Sequence, residues 1–363
     1  MEHFLNRLDI RRFRGLHDLS FDGFGAINLL VGQNNSGKTS VLEALMLILR
    51  PGDSRNWINL LAARDAAGGG QSRRQAAEWL YPVIPRSEPV AHQPIELECR
   101  LANRGASLRS TFLARPSIPS DGAPSDLPDI SVEYFSPDLG VDTTRSGGVR
   151  FAPAVAKGEP GERIYGPKID DSIRSVPGTK VELAKAHGHR TSRASILKLI
   201  HALEGTHAKT LKQILQAFDD DIVGIVRPTS GPLRGLDYVE YRRLGLIPLD
   251  SFGDGVRKVA YLLDKVLKSE DGILLIDEIE VAFHPAVLQP LCTSLRSFAR
   301  ELNVQIIATT HSLEAVDAVL RAFEDSPQEL TTFRLEREPN LTARRFDGSA
   351  LHDLRHVLGQ EIR

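Results

Sequence analysis

Gly32-Gln33-Asn34-Asn35-Ser36-Gly37-Lys38-Thr39 stands between an apolar run at 26–31 (AINLLV) and a mostly apolar run at 39–50 (TSVLEALMLILR). The first run has the length of a buried strand and the second that of a helix. A glycine-rich loop between them that ends in Gly-Lys-Thr fits the G-x-x-x-x-G-K-[ST] pattern in the strand–loop–helix setting that phosphate binding requires. The glycines let backbone N–H groups turn inward around a β-phosphate, and the helix start adds partial positive charge. Lys38 has the reach for β and γ oxygens, and the Thr39 hydroxyl suits Mg²⁺. A plain glycine-rich turn is the competing reading, and the two flanking elements weigh against it.

Towards the C-terminus the same alternation of strand and helix returns. The spacing predicts a helix at 256–268, a strand at 273–276 (ILLI), a helix near 286–300, a strand at 304–308 (VQIIA) and a helix from Ser312. Such alternation implies an α/β fold with a mainly parallel sheet. The ILLI strand ends on Asp277-Glu278. Any buried strand can emerge on an acid, but after a phosphate loop Asp277 suits the Mg²⁺ shell and Glu278, one residue on, can polarise an attacking water. VQIIA leads into Thr309-Thr310-His311-Ser312, which puts an imidazole at the carboxyl edge, where α/β sheets bind ligands. His311 is either a neighbour of a helix cap or a γ-phosphate contact, and the company of the other motifs favours the latter. Ser251-Phe252-Gly253-Asp254-Gly255 precedes a helix with apolar positions 256, 259, 260, 263, 266 and 267. This second glycine-rich helix start suggests a second anion site, against the alternative of a flexible loop.

Between the ordered ends the pattern loosens. Residues 3–10 (HFLNRLDI) read as a strand, as do 94–101, 107–113 and 130–135, which together predict an antiparallel β element. The rest of 51–180, with Gly68–Gly70 and four prolines from Pro116 to Pro128, reads as a loop-rich insertion. Residues 192–218 are helical in pattern, interrupted near Gly205, and close on Asp219-Asp220-Asp221, a solvated turn rather than a metal cluster. His187-Gly188-His189 has no partner at zinc spacing and reads as loop. The expected organisation is a core lobe of 1–180 and 271–363 and a helical lobe of 181–270.

The 363 residues allow two to three domains and a sizeable core. With 45 basic and 47 acidic side chains the net charge is -2, so whole-protein attraction to nucleic acid is excluded. DNA contact would need a local basic patch, for which Arg73-Arg74, Arg242-Arg243 and Arg344-Arg345 are candidates. Cys99 and Cys292 cannot build a disulfide framework, and no apolar run of about 18 residues marks a membrane span. The expectation is a cytoplasmic protein without a membrane partner.

Taken in order, NNSGKTS, FGDG, LIDEIEVAFHP and TTHS resemble the ABC-type ATPase heads of the OLD family and their RecF-like and anti-phage defence relatives. The pattern ending in Phe13-Arg14-Gly15 is also similar to that family's first strands. The motifs cover 1–50 and 246–320. The resemblance implies an ATP- and Mg²⁺-dependent ATPase, with Gly32 to Ser40 (Gly32, Gln33, Asn34, Asn35, Ser36, Gly37, Lys38, Thr39, Ser40) as the Walker A loop. It implies Thr39 and Asp277 for Mg²⁺, Glu278 as catalytic carboxylate, His311 as switch histidine and Arg14 as a nucleotide contact. Gly253, Asp254 and Gly255 become a signature loop presented to ATP on a second head. Gly253 stands where many such heads carry serine, a contact Ser251 could replace. Ile279 replaces a common proline, and Gln71 and Gln75 are candidates for the Q-loop glutamine.

Two heads imply a homodimer or higher oligomer. Residues 312–363 leave no room for a Toprim nuclease domain, so a separate nuclease-like effector is expected. A RecF-like repair clamp and a slowly hydrolysing scaffold are alternative readings. A transporter ATPase is disfavoured by the insertion and by the lack of LSGGQ.

Overall fold

The computed structural model describes residues 4–50, 86–87, 91–92, 95–101, 107–116, 128–135, 145–155, 163–169, 180–191, 208–231, 233–234, 236–337 and 341–362. Gly68–Gly70, Gln71, Arg73-Arg74, Gln75 and the helical pattern at 192–207 lie outside them.

The chain opens with an antiparallel hairpin of β1 (Leu5–Phe13) and β2 (Leu16–Asp22), which turns at Arg14-Gly15. Sequence reading found only the first strand. Leu16, Leu19 and Phe21 point inward in β2, but Asp18 has a left-handed φ of 49° and puts two exposed residues in succession, which breaks the alternation that marks a strand. Next come β3 (Ile27–Val31) and α1 (Lys38–Leu49). A short hairpin, β4 (Arg86–Ser87) with β5 (Ala91–His92), precedes five longer strands. These are β6 (Ile95–Leu101), β7 (Ser107–Pro116), β8 (Pro128–Phe135), β9 (Arg145–Val155) and β10 (Arg163–Ile169). With the first hairpin they form a seven-stranded sheet ordered β10-β9-β8-β7-β6-β1-β2, antiparallel throughout. The expected antiparallel element is present and larger than expected. Residues 145–155 and 163–169, read as loop, are strands whose Gly147, Gly148, Pro153, Gly166 and Pro167 hide the pattern.

A second sheet carries the site. It takes β11 (Lys180–Ala184), β15 (Gly272–Ile276), β16 (Val304–Thr309), β3, β17 (Leu330–Glu336) and β18 (Thr342–Asp347) in that order, all parallel except the edge strand β18. β15 and β16 are buried throughout and read as continuous apolar runs, as strands covered on both faces must. β11 belongs to this core sheet, so the border drawn at residue 181 falls inside a core strand.

The lobe between β11 and β15 mixes helix and sheet. It holds α2 (Gly188–Thr191), α3 (Ala208–Gln216), a small antiparallel sheet of β12 (Ile222–Val226), β13 (Tyr238–Tyr241) and β14 (Gly245–Pro248), and then α4 (Asp254–Lys268). His187-Gly188-His189 therefore enters a helical turn rather than a loop. Asp219–Asp221 form the expected turn: the Tyr241 hydroxyl and the Asp221 N–H both donate to the Asp219 carboxylate. Among the described residues no group of three or more acidic, His or Cys side chains could hold a metal.

Helices α5 (Pro285–Glu301) and α6 (Leu313–Ala322) complete the layers, with α7 (Gly348–His352) after β18. The core is double. On one face of the parallel sheet, Leu30, Leu275 and Ile307 pack with Val41, Leu45 and Ile48 of α1 and with Leu8, Phe21 and Leu97 of the antiparallel sheet. On the other, Leu29, Leu274 and Ile306 pack with Val259, Leu291 and Val316 of α4, α5 and α6. Each such fully buried aliphatic side chain is worth about 1.5–3 kcal/mol, enough in sum to hold the strand ends that carry the site in fixed register. Among the described residues no helix is long and apolar enough to cross a membrane.

Candidate functional site

At the carboxyl edge of the parallel sheet, three strand ends converge. β3 runs into the phosphate loop, β15 into Asp277-Glu278 and β16 into Thr310-His311. Register fixes their neighbourhood, with Ile276 level with Ala308 and Leu30 with Thr309.

The phosphate loop closes on Gly37, which has φ of 99° and precedes α1 without any side-chain cap. The first turn of α1 contains no acid, so its unpaired N–H groups and partial positive charge are available to an anion. Lys38 is buried, and its Nζ donates to the carbonyls of Gly32 (2.6 Å) and Gln33 (2.9 Å). Burial pulls its pKa below the ordinary lysine value, opposed by the charges of Glu280, Glu278 and Asp277. Ser36 Oγ is buried with no hydrogen-bond partner, an orphaned polar atom inside the loop. Gln33, Asn34, Asn35 and Thr39 are exposed, and Ser40 is buried in the first turn of α1.

Thr309 ties two strand ends together. Its Oγ1 donates to Asp277 Oδ1 at 2.9 Å and accepts the Glu278 N–H at 2.8 Å. Thr39 Oγ1 donates to the same Asp277 oxygen at 3.0 Å. Glu278 has a left-handed φ of 47°, a strained position of the kind that concentrates at functional sites, and its side chain stays 36% exposed. His311 Nδ1 lies 3.8 Å from Glu278 and 3.1 Å from Glu280. Ser312, beside it, caps α6 by accepting the Ala315 N–H. The structure thus brings Lys38, Thr39, Asp277, Glu278 and His311 to one edge.

Other expected residues lie differently. Arg14 is only 10% exposed and pairs with Glu43 of α1, so its guanidinium is held against the flank of that helix. Ser251 and Gly253 are exposed on the mixed lobe. Asp254 is held by Arg190, with Arg257 at 3.7 Å and buried His189 at 3.6 Å, and the Arg190 hydrogen bond above all keeps its pKa low.

Sequence reading missed Glu280 and the loop after β11. Glu280 stands two residues from Glu278 in the same acidic run, a visible signal passed over. Lys185 follows β11 and is level with Asp277, whose N–H donates to Ala184 O at 2.8 Å. Its backbone N–H donates to Tyr261 Oη (3.3 Å), and buried Lys258 donates to the carbonyls of Lys185 (3.3 Å) and Ala186 (2.5 Å). Burial lowers the pKa of Lys185, against the charges of Glu43 and Asp277. A lysine outside any motif gave no sequence signal.

The chain is similar to several known proteins. Residues 126–317, just over half of the chain, match the family described as "AAA domain, putative AbiEii toxin, Type IV TA system", and residues 4–91 match an "AAA ATPase domain". An "ATP/GTP phosphatase" of Helicobacter pylori is 22% identical over 336 residues, covering 86% of this chain and 87% of the relative. The "DNA replication and repair protein RecF" of Francisella tularensis subsp. mediasiatica is 42% identical over 45 residues, 12% of this chain and 13% of that protein. A solved SMC head bound to the C-terminal winged-helix domain of ScpA aligns over 95% of this chain and 98% of that one, with 11% identity and a TM-score of 0.49. With its phosphate loop, acidic strand end and parallel sheet, the chain belongs to this AAA domain family and is a P-loop ATPase.

Proposed function

We propose that the protein is an ATP-driven dimeric switch of the OLD-like group, in which two heads close on ATP and control a separate nuclease-like effector in anti-phage defence or DNA processing. The observation that carries the reading is the convergence of Lys38, Thr39, Asp277, Glu278 and His311 on one sheet edge, with a second glycine-rich helix start exposed on another lobe. Ser36 and the capless start of α1 suit the β-phosphate, and Lys38 exchanges its carbonyl partners for phosphate oxygens. Glu278 takes the proton of the attacking water, and His311 contacts the terminal phosphate. Ser251, Gly253, Asp254 and Gly255 meet ATP held by the partner head. Arg14 supports the first turns of α1 through Glu43.

Thr39 and Asp277 fit Mg²⁺. Their oxygens are 3.0 Å apart, and adjacent ligands of an octahedral ion with bonds of about 2.1 Å stand at about that separation. The bound ion neutralises charge on the phosphate oxygens. A RecF-like clamp is the second reading, favoured by the local identity to RecF.

Light scattering on Glu278→Gln with and without ATP tests the switch. Mass doubling with ATP supports head closure, and a mass independent of ATP contradicts it. Turnover measured with linear double-stranded DNA separates the two readings of the trigger, since a clamp is stimulated by DNA and a switch driven by a protein partner is not.

A further inference from the structure

We propose that Glu280 is the positioning residue for His311, a carboxylate distinct from the catalytic Glu278. The two acids sit in different surroundings. The Glu278 side chain is 36% exposed, whereas Glu280 is 11% exposed and turned under the loop after β16. Glu280 Oε1 accepts the His311 backbone N–H at 3.0 Å and lies 3.1 Å from Nδ1 of the same residue. One oxygen therefore faces both the main chain and the ring of His311.

The ring is divided by this contact. Nδ1 is shielded from solvent and makes no hydrogen bond as placed, while 38% of the His311 side chain remains exposed. Nδ1 thus faces the buried carboxylate within hydrogen-bond distance, and a small rotation of Glu280 brings the pair into alignment, as such contacts tighten when substrate binds. With Nδ1 turned inward, the opposite edge and its Nε2 face outward. The loop is fixed from the other side too, because the Thr310 N–H donates to Leu30 O (3.0 Å) on β3, two residues before Gly32. The residue before His311 is therefore tied to β3, the strand that leads into the phosphate loop.

The backbone around Glu280 is built to hold it. The Ile279 N–H donates to Thr309 O at 3.0 Å and the Val281 N–H to Glu278 O at 3.1 Å, so the turn after β15 is locked against β16. The main chain of Glu280 is thereby held beside Thr309 and His311. Outer partners that orient a metal-ligating histidine are typically worth 10–100-fold in affinity or activity, and the same scale is expected for a carboxylate that orients His311.

The inference rests on the assignment of His311 to the terminal phosphate, and a double-mutant cycle tests both. Turnover and affinity for a fluorescent ATP analogue are measured for wild type, Glu280→Ala, Glu280→Gln, His311→Ala and His311→Ala/Glu280→Ala. Glu280→Ala is expected to lower kcat by about tenfold to a hundredfold with little change in analogue affinity. Glu280→Gln, whose amide oxygen can still accept both N–H groups, recovers part of the loss and remains folded if the alanine variant does not. The double variant is expected to be no slower than His311→Ala alone. Losses that multiply, or full activity in Glu280→Ala, overturn the role of Glu280. Full activity in His311→Ala overturns the His311 assignment and the positioning role of Glu280 with it.

Discussion

Two glycine-rich loops open helices in this protein, and their electrostatics are opposite. The start of α1 has no acid in its first turn, a left-handed Gly37 and a buried lysine whose ammonium is parked on two backbone carbonyls. The start of α4 has Gly253 in ordinary extended geometry and carries its own carboxylate, Asp254, ringed by Arg190, Arg257 and His189. The first is built to receive an anion within its own chain. The second already has one, so any phosphate it meets must compete with Asp254 for Arg190 and Arg257 or use the exposed Ser251 and Gly253. Similar sequence punctuation thus marks two different sites, and the charge of the residue after the glycine separates them.

Glycine replacement should break this comparison most strongly at Gly37. A Cβ there would lie 2.6 Å from Leu16 Cδ2 in addition to the positive φ, so Gly37→Ala is expected to cost about 1–3 kcal/mol and abolish nucleotide binding. Chemical denaturation and binding of a fluorescent ATP analogue would measure the two effects. Gly255→Ala comes next, because its Cβ would meet the Phe218 ring at 2.9 Å and Ala282 O at 3.3 Å. Partial loss of stability is expected, read as a lower unfolding midpoint.

The lysines of the two helices offer a third contrast. Burial lowers both, and the charges of Asp277, Glu278 and Glu280 oppose it in both; even so, burial pushes the more deeply enclosed Lys258 down to about 8. Between about pH 8 and the ordinary lysine value near 10.5 the unfolded chain holds a proton that folded Lys258 has lost. Stability from this group therefore rises with pH across that window, and the penalty of a buried ammonium is felt in full below it. Lys258→Met should remove this rise, as seen by comparing unfolding midpoints of the two proteins at several pH values. The smallest effect is expected for Gly253→Ala, whose Cβ meets nothing within 4 Å. Its stability should stay within about 0.5 kcal/mol of wild type. A large loss of stability there would mean that the start of α4 is more constrained than its geometry indicates.

The centre of the parallel sheet was legible because β3, β15 and β16 are largely apolar and punctuated by the residues that do chemistry, whereas β11, β17 and β18, which carry charged residues, were not predicted. β3, β15 and β16 and the helices after them lie within two residues of their expected bounds. The antiparallel sheet was half legible. β6, β7 and β8 alternate, whereas glycines and prolines interrupt β9 and β10, and the left-handed Asp18 masks β2. β12, β13 and β14 were overlooked because strands of four or five residues carry too little pattern. At the site, the residues in motifs were found. Glu43 and Lys185 were not, since each acquires its place only when a strand end or helix turn brings it beside a residue distant in sequence, and Glu280, although inside the acidic run, gains its role only beside His311. Arg14 was singled out for the nucleotide, and its partner Glu43 becomes visible only once α1 is folded against the first hairpin.

The central claim is that the start of α1 and the ends of β15 and β16 form one ATP-hydrolysing centre. Steady-state turnover of ATP with Mg²⁺ by wild type, Lys38→Ala and Glu278→Gln tests it most directly. The account predicts turnover in the wild type, loss of both turnover and analogue binding in Lys38→Ala, and loss of turnover with binding retained in Glu278→Gln. Wild-type rates in either variant would contradict it.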